Sequence, residues 1–191
     1  FIGNYSSGKM GFALAEACAE RGAEVTLVAG PVSLKTHHPA IKRIDVESAG
    51  EMYQAAMTAF PSSDAAILCA AVADYRSENA SEQKIKRETE GEMTLHLVPN
   101  PDIAASLGAI KREGQVMVGF ALETNDEATH AEGKLKRKNL DFIVLNSLRD
   151  QGAGFRCDTN KITIIDNAGG VTSYPLKTKR EVAVSYTHLR A

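Results

Sequence analysis

Four short apolar runs, EVTLVAG at 24–30, AAILCAAV at 65–72, VMVGFA at 116–121 and DFIVLN at 141–146, punctuate the first 146 residues, and IKRIDV at 41–46 suggests one more strand. Stretches of helical period separate most of them. Strands that read as near-continuous apolar runs belong in parallel sheets covered on both faces, and parallel strands need crossovers of the kind helices supply. The chain is therefore predicted to be α/β, with a Rossmann-like, mostly parallel sheet and helices on both faces. Ser7 is a candidate cap for a helix to about Glu20, closed by Gly22. Further helices are expected over 47–59, from Asn100-Pro101-Asp102 to about Arg112 with Asn100 as cap, and over 126–138. The last third changes character. KITIID and VTSYP read as a hairpin joined by Asn167-Ala168-Gly169-Gly170, and a final helix starts near Thr178. Residues 75–92 form a polar, lysine-rich flap, and MTLHLV after them alternates as a half-exposed strand does.

The 191 residues suffice for one domain with a sizeable core. A net charge of −2 argues against a nonspecific grip on nucleic acid or on an anionic membrane. No apolar run approaches the roughly 20 residues of a spanning helix, and no signal peptide is evident. Three cysteines, Cys18, Cys69 and Cys157, have no paired spacing, and the five histidines form no cluster. A disulfide framework and a protein-built metal site are both disfavoured, and a reducing cytoplasm is expected.

In doubly wound sheets ligands bind beyond the carboxyl ends of the strands, which selects Gly30, Ala70 to Asp74, Phe120 to Thr124 and Asn146. GNYSSGKMG, at 3–11, approaches a phosphate-binding loop but has Met10 where a Ser or Thr would ligate magnesium. It reads equally as a serine-capped helix start and as an anion site built on free backbone amides. Asp74 stands just past a strand end, where a carboxylate can meet a ribose, a base or a metal. KIKR at 84–87 is an ordinary solvated basic stretch unless a triphosphate lies beside it. Lys134 and Lys138, four apart in KLKRK, share a helix face and also complement the helix C-terminus.

Taken in order, SSGKMG, CAAVADYR, KIKR, NPDI, GFALET and KRKNLDFIVLN resemble phosphopantothenoylcysteine synthetase, the ligase of coenzyme A biosynthesis, in its bacterial form joined to a flavin-dependent decarboxylase. The resemblance runs from residue 1 to about residue 184. It implies that the carboxylate of 4′-phosphopantothenate attacks the α-phosphate of CTP, releasing pyrophosphate, and that the amine of L-cysteine then displaces CMP from the acyl-cytidylate. Asn4 matches the family asparagine that handles the acyl-cytidylate, and Lys84 the lysine associated with forming it. Nucleotide contacts are implied at Asp74, Lys84, Phe120, Lys134 and Lys138. The strand end Leu68, Cys69, Ala70 and Ala71 and the helix start Pro101, Asp102, Ile103 and Ala104 match further contact positions. Magnesium is implied alongside CTP, held chiefly by phosphate oxygens and water. A homodimer is implied, with the lysine-rich flap and the strands near 93–98 and 161–174, the least buried strands of this reading, as candidate contacts.

The resemblance also leads one to expect a strand and glycine-rich loop ahead of Phe1, and residues 185–191 form a tail that does not match. Two other readings stay open on the residues. An NAD(P)-dependent oxidoreductase or epimerase fits the alternation alone, but requires a G-x-G-x-x-G turn that these residues lack. A non-catalytic nucleotide-binding module would bind CTP and release no pyrophosphate.

Overall fold

The computed structural model describes residues 6–79, 94–123, 127–147 and 158–186. In chain order the elements are α1 (Lys9–Ala19), β1 (Val25–Ala29), β2 (Ile41–Asp45), α2 (Ala49–Ala59), β3 (Ala65–Leu68), β4 (Tyr75–Ser77), β5 (Leu97–Pro99) and α3 (Ile103–Ile110). Then follow β6 (Val116–Glu123), α4 (Glu127–Arg137), β7 (Phe142–Ser147), β8 (Thr159–Asp166), β9 (Val171–Thr178) and α5 (Lys179–Tyr186).

The principal sheet has the order β3-β6-β7-β8-β9. Strands β3, β6 and β7 are parallel, with Leu68 opposite Gly119 and Glu123 opposite Ser147, whereas β8 and β9 return antiparallel. The mostly parallel sheet with a terminal hairpin is thus present. It is divided, however: β1 and β2 form a separate parallel pair, and β4 with β5 a short antiparallel ribbon. Strand β3 ends at Leu68, before the end of the run AAILCAAV, and the carbonyls of Ala73 and Asp74 farther along the loop are held by Asn100.

The start of α1 differs from expectation. Ser7 does not cap α1; Gly8 takes the N-cap position with φ 75°, and its N–H donates to Ser6 Oγ at 3.3 Å. Gly22 closes α1 as predicted, with φ 88°. Helix α2 begins at Ser48, whose hydroxyl accepts the Glu51 N–H at 3.1 Å while Glu51 Oε2 accepts the Glu47 N–H at 2.7 Å, close to a capping box.

Each face of the sheet carries its own core. Under α3 and α4 lie Leu107, Met117, Ala121, Leu135, Leu140, Ile143 and Ile165. Under α1 and α5 lie Leu14, Ala17, Val118, Val144, Ile162, Val182 and Ala183. Successive residues of a strand face opposite sides, so DFIVLN must be apolar throughout to satisfy both. Ile143, Val144 and Leu145 are 1%, 0% and 4% exposed. At about 1.5–3 kcal/mol for each fully buried side chain, the register of β7 is strongly specified.

The amino end of the sheet is fastened by Asp141. Its Oδ2 accepts the Met117 N–H at 2.7 Å and Lys111 Nζ at 2.7 Å, and its carbonyl accepts the Asn167 N–H at 2.9 Å. Lys111 and Asp141 side chains are only 11% and 16% exposed, so this pair ties α3, β6, β7 and the β8–β9 turn together away from most of the solvent. In that turn Asp166 Oδ1 accepts the N–H groups of Ala168 and Gly170, with Gly169 at φ 91°.

Strand β8, expected among the least buried, is an inner strand: Ile162, Ile164 and Ile165 are at most 3% exposed. The exposed edge is β9, which carries Val171 and Leu176 at 62% and 48% exposure. Its register slips between Asn160 and Ile162, opposite the stretch that contains Pro175. Among the described residues, no helix is long and apolar enough to cross a membrane.

Candidate active site

Strands β3 and β6 run in parallel, so residues 69–74 and the end of β6 emerge at the same edge of the sheet. The loop after β3 is closed by Asn100. Its backbone N–H donates to the Asp74 carbonyl at 2.8 Å, and its side-chain Nδ2 donates to the Ala73 carbonyl at 2.9 Å. Arg76 Nη1 donates to the Pro99 carbonyl at 2.7 Å beside it. The cap of α3 therefore falls to Asp102, not Asn100: Asp102 Oδ1 accepts the Ala105 N–H at 3.0 Å. Asn100 has its amide engaged with Ala73, and the next short polar side chain takes the free helix amides.

Asp102 has a second partner. Lys138 Nζ lies 3.0 Å from its Oδ2. Burial pushes the Asp102 carboxyl upward, but the Ala105 amide, the Lys138 ammonium and the Ala104 amide outweigh it and hold the group below its ordinary value. A depressed carboxyl contributes stability that is complete above the unfolded value, about pH 3.9, and that is lost as pH falls through the lower folded value. Lys138→Met is expected to raise the Asp102 midpoint toward the ordinary range, followed by carboxyl-carbon NMR; an unmoved midpoint would show that the two side chains do not pair in solution.

Lys138 is placed by the end of α4. Asn139 adopts φ 51°, the left-handed conformation that often closes helices, and the Leu140 N–H returns to the Leu135 carbonyl at 3.0 Å. Asn139 Nδ2 also donates to the Gly108 carbonyl at 3.0 Å, so the end of α4 lies against the backbone of α3. From there the Lys138 side chain extends along α3 to reach Asp102 six residues earlier. Lys134, one turn before Lys138, is half-buried. Ala73, Asp74, Pro101 to Ala104 and Lys138 are thus joined in one chain of contacts.

Other predicted residues divide between the two faces of the sheet. Leu68 and Ile103 pack with the core under α3 and α4, whereas Cys69 and Phe120 pack with the core under α1 and α5. Between them Ala70 is exposed and Ala71 half-buried. The Cys69 sulfur lies close enough to Gly11 that a Cβ there would sit 3.2 Å from it. Loss of hydration pushes the Cys69 thiol up to about 11, which favours the protonated thiol over the thiolate at neutral pH. Asn146 Nδ2 donates to Asn160 Oδ1 at 3.5 Å, while its own Oδ1 is buried with no hydrogen-bond partner among the described residues. Lys9, the lysine of the loop-like opening, is paired with Asp158 at 2.6 Å and holds that carboxyl below its ordinary range. Its charge is answered by a carboxylate. Asn4, Lys84 and Thr124 lie outside the described residues.

Sequence reasoning missed the Asn100 bonds, the Asp102–Lys138 pair and the role of Asn139. Each joins residues 26 to 36 positions apart, and no local pattern marks them.

The family described as the DNA/pantothenate metabolism flavoprotein C-terminal domain matches residues 1–189. A protein of an unknown prokaryotic organism, named cysteine/cysteine sulfinic acid decarboxylase, is 58% identical over 183 residues, covering 96% of this chain and 51% of its own length. The coenzyme A biosynthesis bifunctional protein CoaBC of Vibrio cholerae is 47% identical over 190 residues, covering 99% of this chain and 47% of its own. The chain therefore spans about half the length of these curated relatives. The crystal structure of the C-terminal domain of a coenzyme A biosynthesis bifunctional protein CoaBC superposes with a TM-score of 0.79 at 36% identity, covering 96% of this chain and 81% of that one.

Proposed function

The chain belongs to the DNA/pantothenate metabolism flavoprotein C-terminal domain family, and from that membership we propose that it is the ligase part of a coenzyme A biosynthesis protein, joining 4′-phosphopantothenate to L-cysteine at the expense of CTP. The observation that carries this reading is the match along nearly the whole chain to relatives named for coenzyme A biosynthesis. The reaction has two steps. A carboxylate oxygen of 4′-phosphopantothenate bonds to the α-phosphorus of CTP, and the bond to the bridging oxygen breaks, releasing pyrophosphate. The amine of cysteine then bonds to the acyl carbon, CMP leaves with the carboxyl oxygen, and the amine gives up a proton. The chemistry needs charge stabilisation and alignment more than a nucleophile of the protein's own.

Asp74 is exposed just beyond the loop that Asn100 closes, where a carboxylate can accept hydrogen bonds from a ribose or base. Lys138 and Lys134 supply positive charge for the triphosphate, Lys84 supplies it where the α-phosphate is attacked, and Asn4 serves the acyl-cytidylate. Among the described residues no group of three His, Cys, Asp or Glu side chains is placed to hold a metal ion. Magnesium in this reading accompanies CTP on phosphate oxygens and water, and no step is assigned to it. The exposed Leu95 and Leu97 near β5, with Val171 and Leu176 on β9, support association of two copies. The reading further places the chain beside a decarboxylase in a longer cytoplasmic protein.

The test is product analysis with CTP, 4′-phosphopantothenate, cysteine and magnesium, on the chain itself and on the Vibrio cholerae relative with its matching residues replaced by these. At turnover CMP and pyrophosphate are expected in equal amounts, CMP only when both acceptor substrates are present, and pyrophosphate without cysteine limited to about one equivalent of the enzyme. CMP release independent of them would overturn the assignment, and tight CTP binding without pyrophosphate release would identify a binding module instead.

A further inference from the structure

We propose that Asn100 is a positioning residue of the nucleotide site, a clip that fixes the loop after β3 against the start of α3. The inference rests on the ligase reading above. Asn100 stands between Pro99 and Pro101. Neither proline has a backbone N–H, so Asn100 supplies the one main-chain donor of this tripeptide, and the two rings restrict the backbone around it. That donor goes to the Asp74 carbonyl, at 2.8 Å. The side chain adds a second bond to the adjacent Ala73 carbonyl, at 2.9 Å, in a partly buried position. Two neighbouring carbonyls of one loop are thus held by one residue of another segment.

What the clip controls is a distance. Asp74 follows immediately on one side, and Asp102, which caps α3 and meets Lys138, follows two residues later on the other. A nucleotide that touches both segments at once depends on their separation, and a poorly fixed separation costs affinity for that ligand without disturbing either core. Asn100→Ala keeps the backbone bond to Asp74 and the β4–β5 ladder; it loses the bond to Ala73 and, with it, the longer 3.5 Å bond that Arg76 Nη1 donates to Asn100 Oδ1, while Arg76 keeps its shorter bond to the Pro99 carbonyl.

Two measurements on Asn100→Ala in the full chain test the proposal. In hydrogen–deuterium exchange without nucleotide, peptides covering 70–78 and 98–106 are expected to exchange about fivefold to tenfold faster, the loss of one partly buried hydrogen bond, while peptides from β7 keep their wild-type rate. Unchanged exchange in those two segments overturns the clip, whether or not the chain binds CTP. In the CMP-release assay the KM for CTP is expected to rise about fivefold to tenfold, with kcat within about twofold and the KM for cysteine unmoved. A loss spread evenly over all substrates, together with a lower melting temperature, would mark Asn100 as structural only and overturn its part in the site. A wild-type protein that turns over no CTP would refute the ligase reading, and the exchange result alone would then decide the clip.

Discussion

Lys84→Gln is expected to slow single-turnover release of pyrophosphate by about a hundredfold to a thousandfold, with CTP binding weakened far less. In the proposed reaction, as the carboxylate approaches the α-phosphate, negative charge would gather on the non-bridging and leaving oxygens, and a fixed ammonium would be worth more to that state than to bound CTP. Glutamine keeps the reach and a dipole but supplies no net charge. Removing one well-placed group of this kind typically costs about 2.7–4 kcal/mol of transition-state stabilisation. Lys84 lies outside the described residues, so its assignment rests on the KIKR match, and rapid-quench measurement with excess enzyme is the decisive check. Release at the wild-type rate would remove Lys84 from the chemical step and direct attention to Lys134 and Lys138.

Gly108→Ala is expected to lower folding stability by about 3 kcal/mol, against the usual sign for this change. Within a helix, replacing glycine by alanine ordinarily gains up to about 1 kcal/mol. Here the added Cβ would land on the Lys138 carbonyl oxygen, 2.8 Å from its carbonyl carbon and 3.2 Å from Asn139 Cβ. Backbone cannot swing aside as a side-chain tip can, so α3 must move off the end of α4. That movement opens the buried contact at Leu107 and stretches the Asn139 bond to the Gly108 carbonyl. Overpacking of this kind costs about 1–3 kcal/mol and sometimes more. For a chain of this size it corresponds to a melting temperature lower by about 6–12 °C. Lys138 would also be drawn from Asp102, so CTP affinity is expected to fall in the same variant. A variant as stable as the parent, or more stable, would show that the two backbones do not touch.

The sequence carries the order of elements well because each rests on a local rule. DFIVLN must be buried on both faces, Gly22 must allow a left-handed turn, and Asn167 to Gly170 must reverse the chain; all three are found where expected. Where reading failed, two local rules competed and a distant partner chose between them. Asn100 and Asp102 are both good helix caps, and nothing within one turn of either says that the Ala73 carbonyl, 27 residues earlier, takes the Asn100 amide. The same holds for KLKRK. Its cations suit a helix C-terminus on general grounds, but only the packing of Asn139 on Gly108 sends Lys138 along α3 to Asp102. Strand positions in β8 and β9 were equally plausible as edges from their composition, and the pairing of β8 with β7 decides which is covered.

Edge strand β9 contains Pro175 near the point where its register with β8 slips. A proline donates no backbone hydrogen bond, and a slipped register bends the strand. A foreign strand laid along β9 therefore cannot zip down its whole length: bonding begins at Val171 and fails at the proline. The molecule tolerates an open, partly apolar border without offering a template for endless growth. For the proposed association of two copies, contact at this border would rest on the Val171 and Leu176 side chains and not on a continued ribbon of backbone bonds.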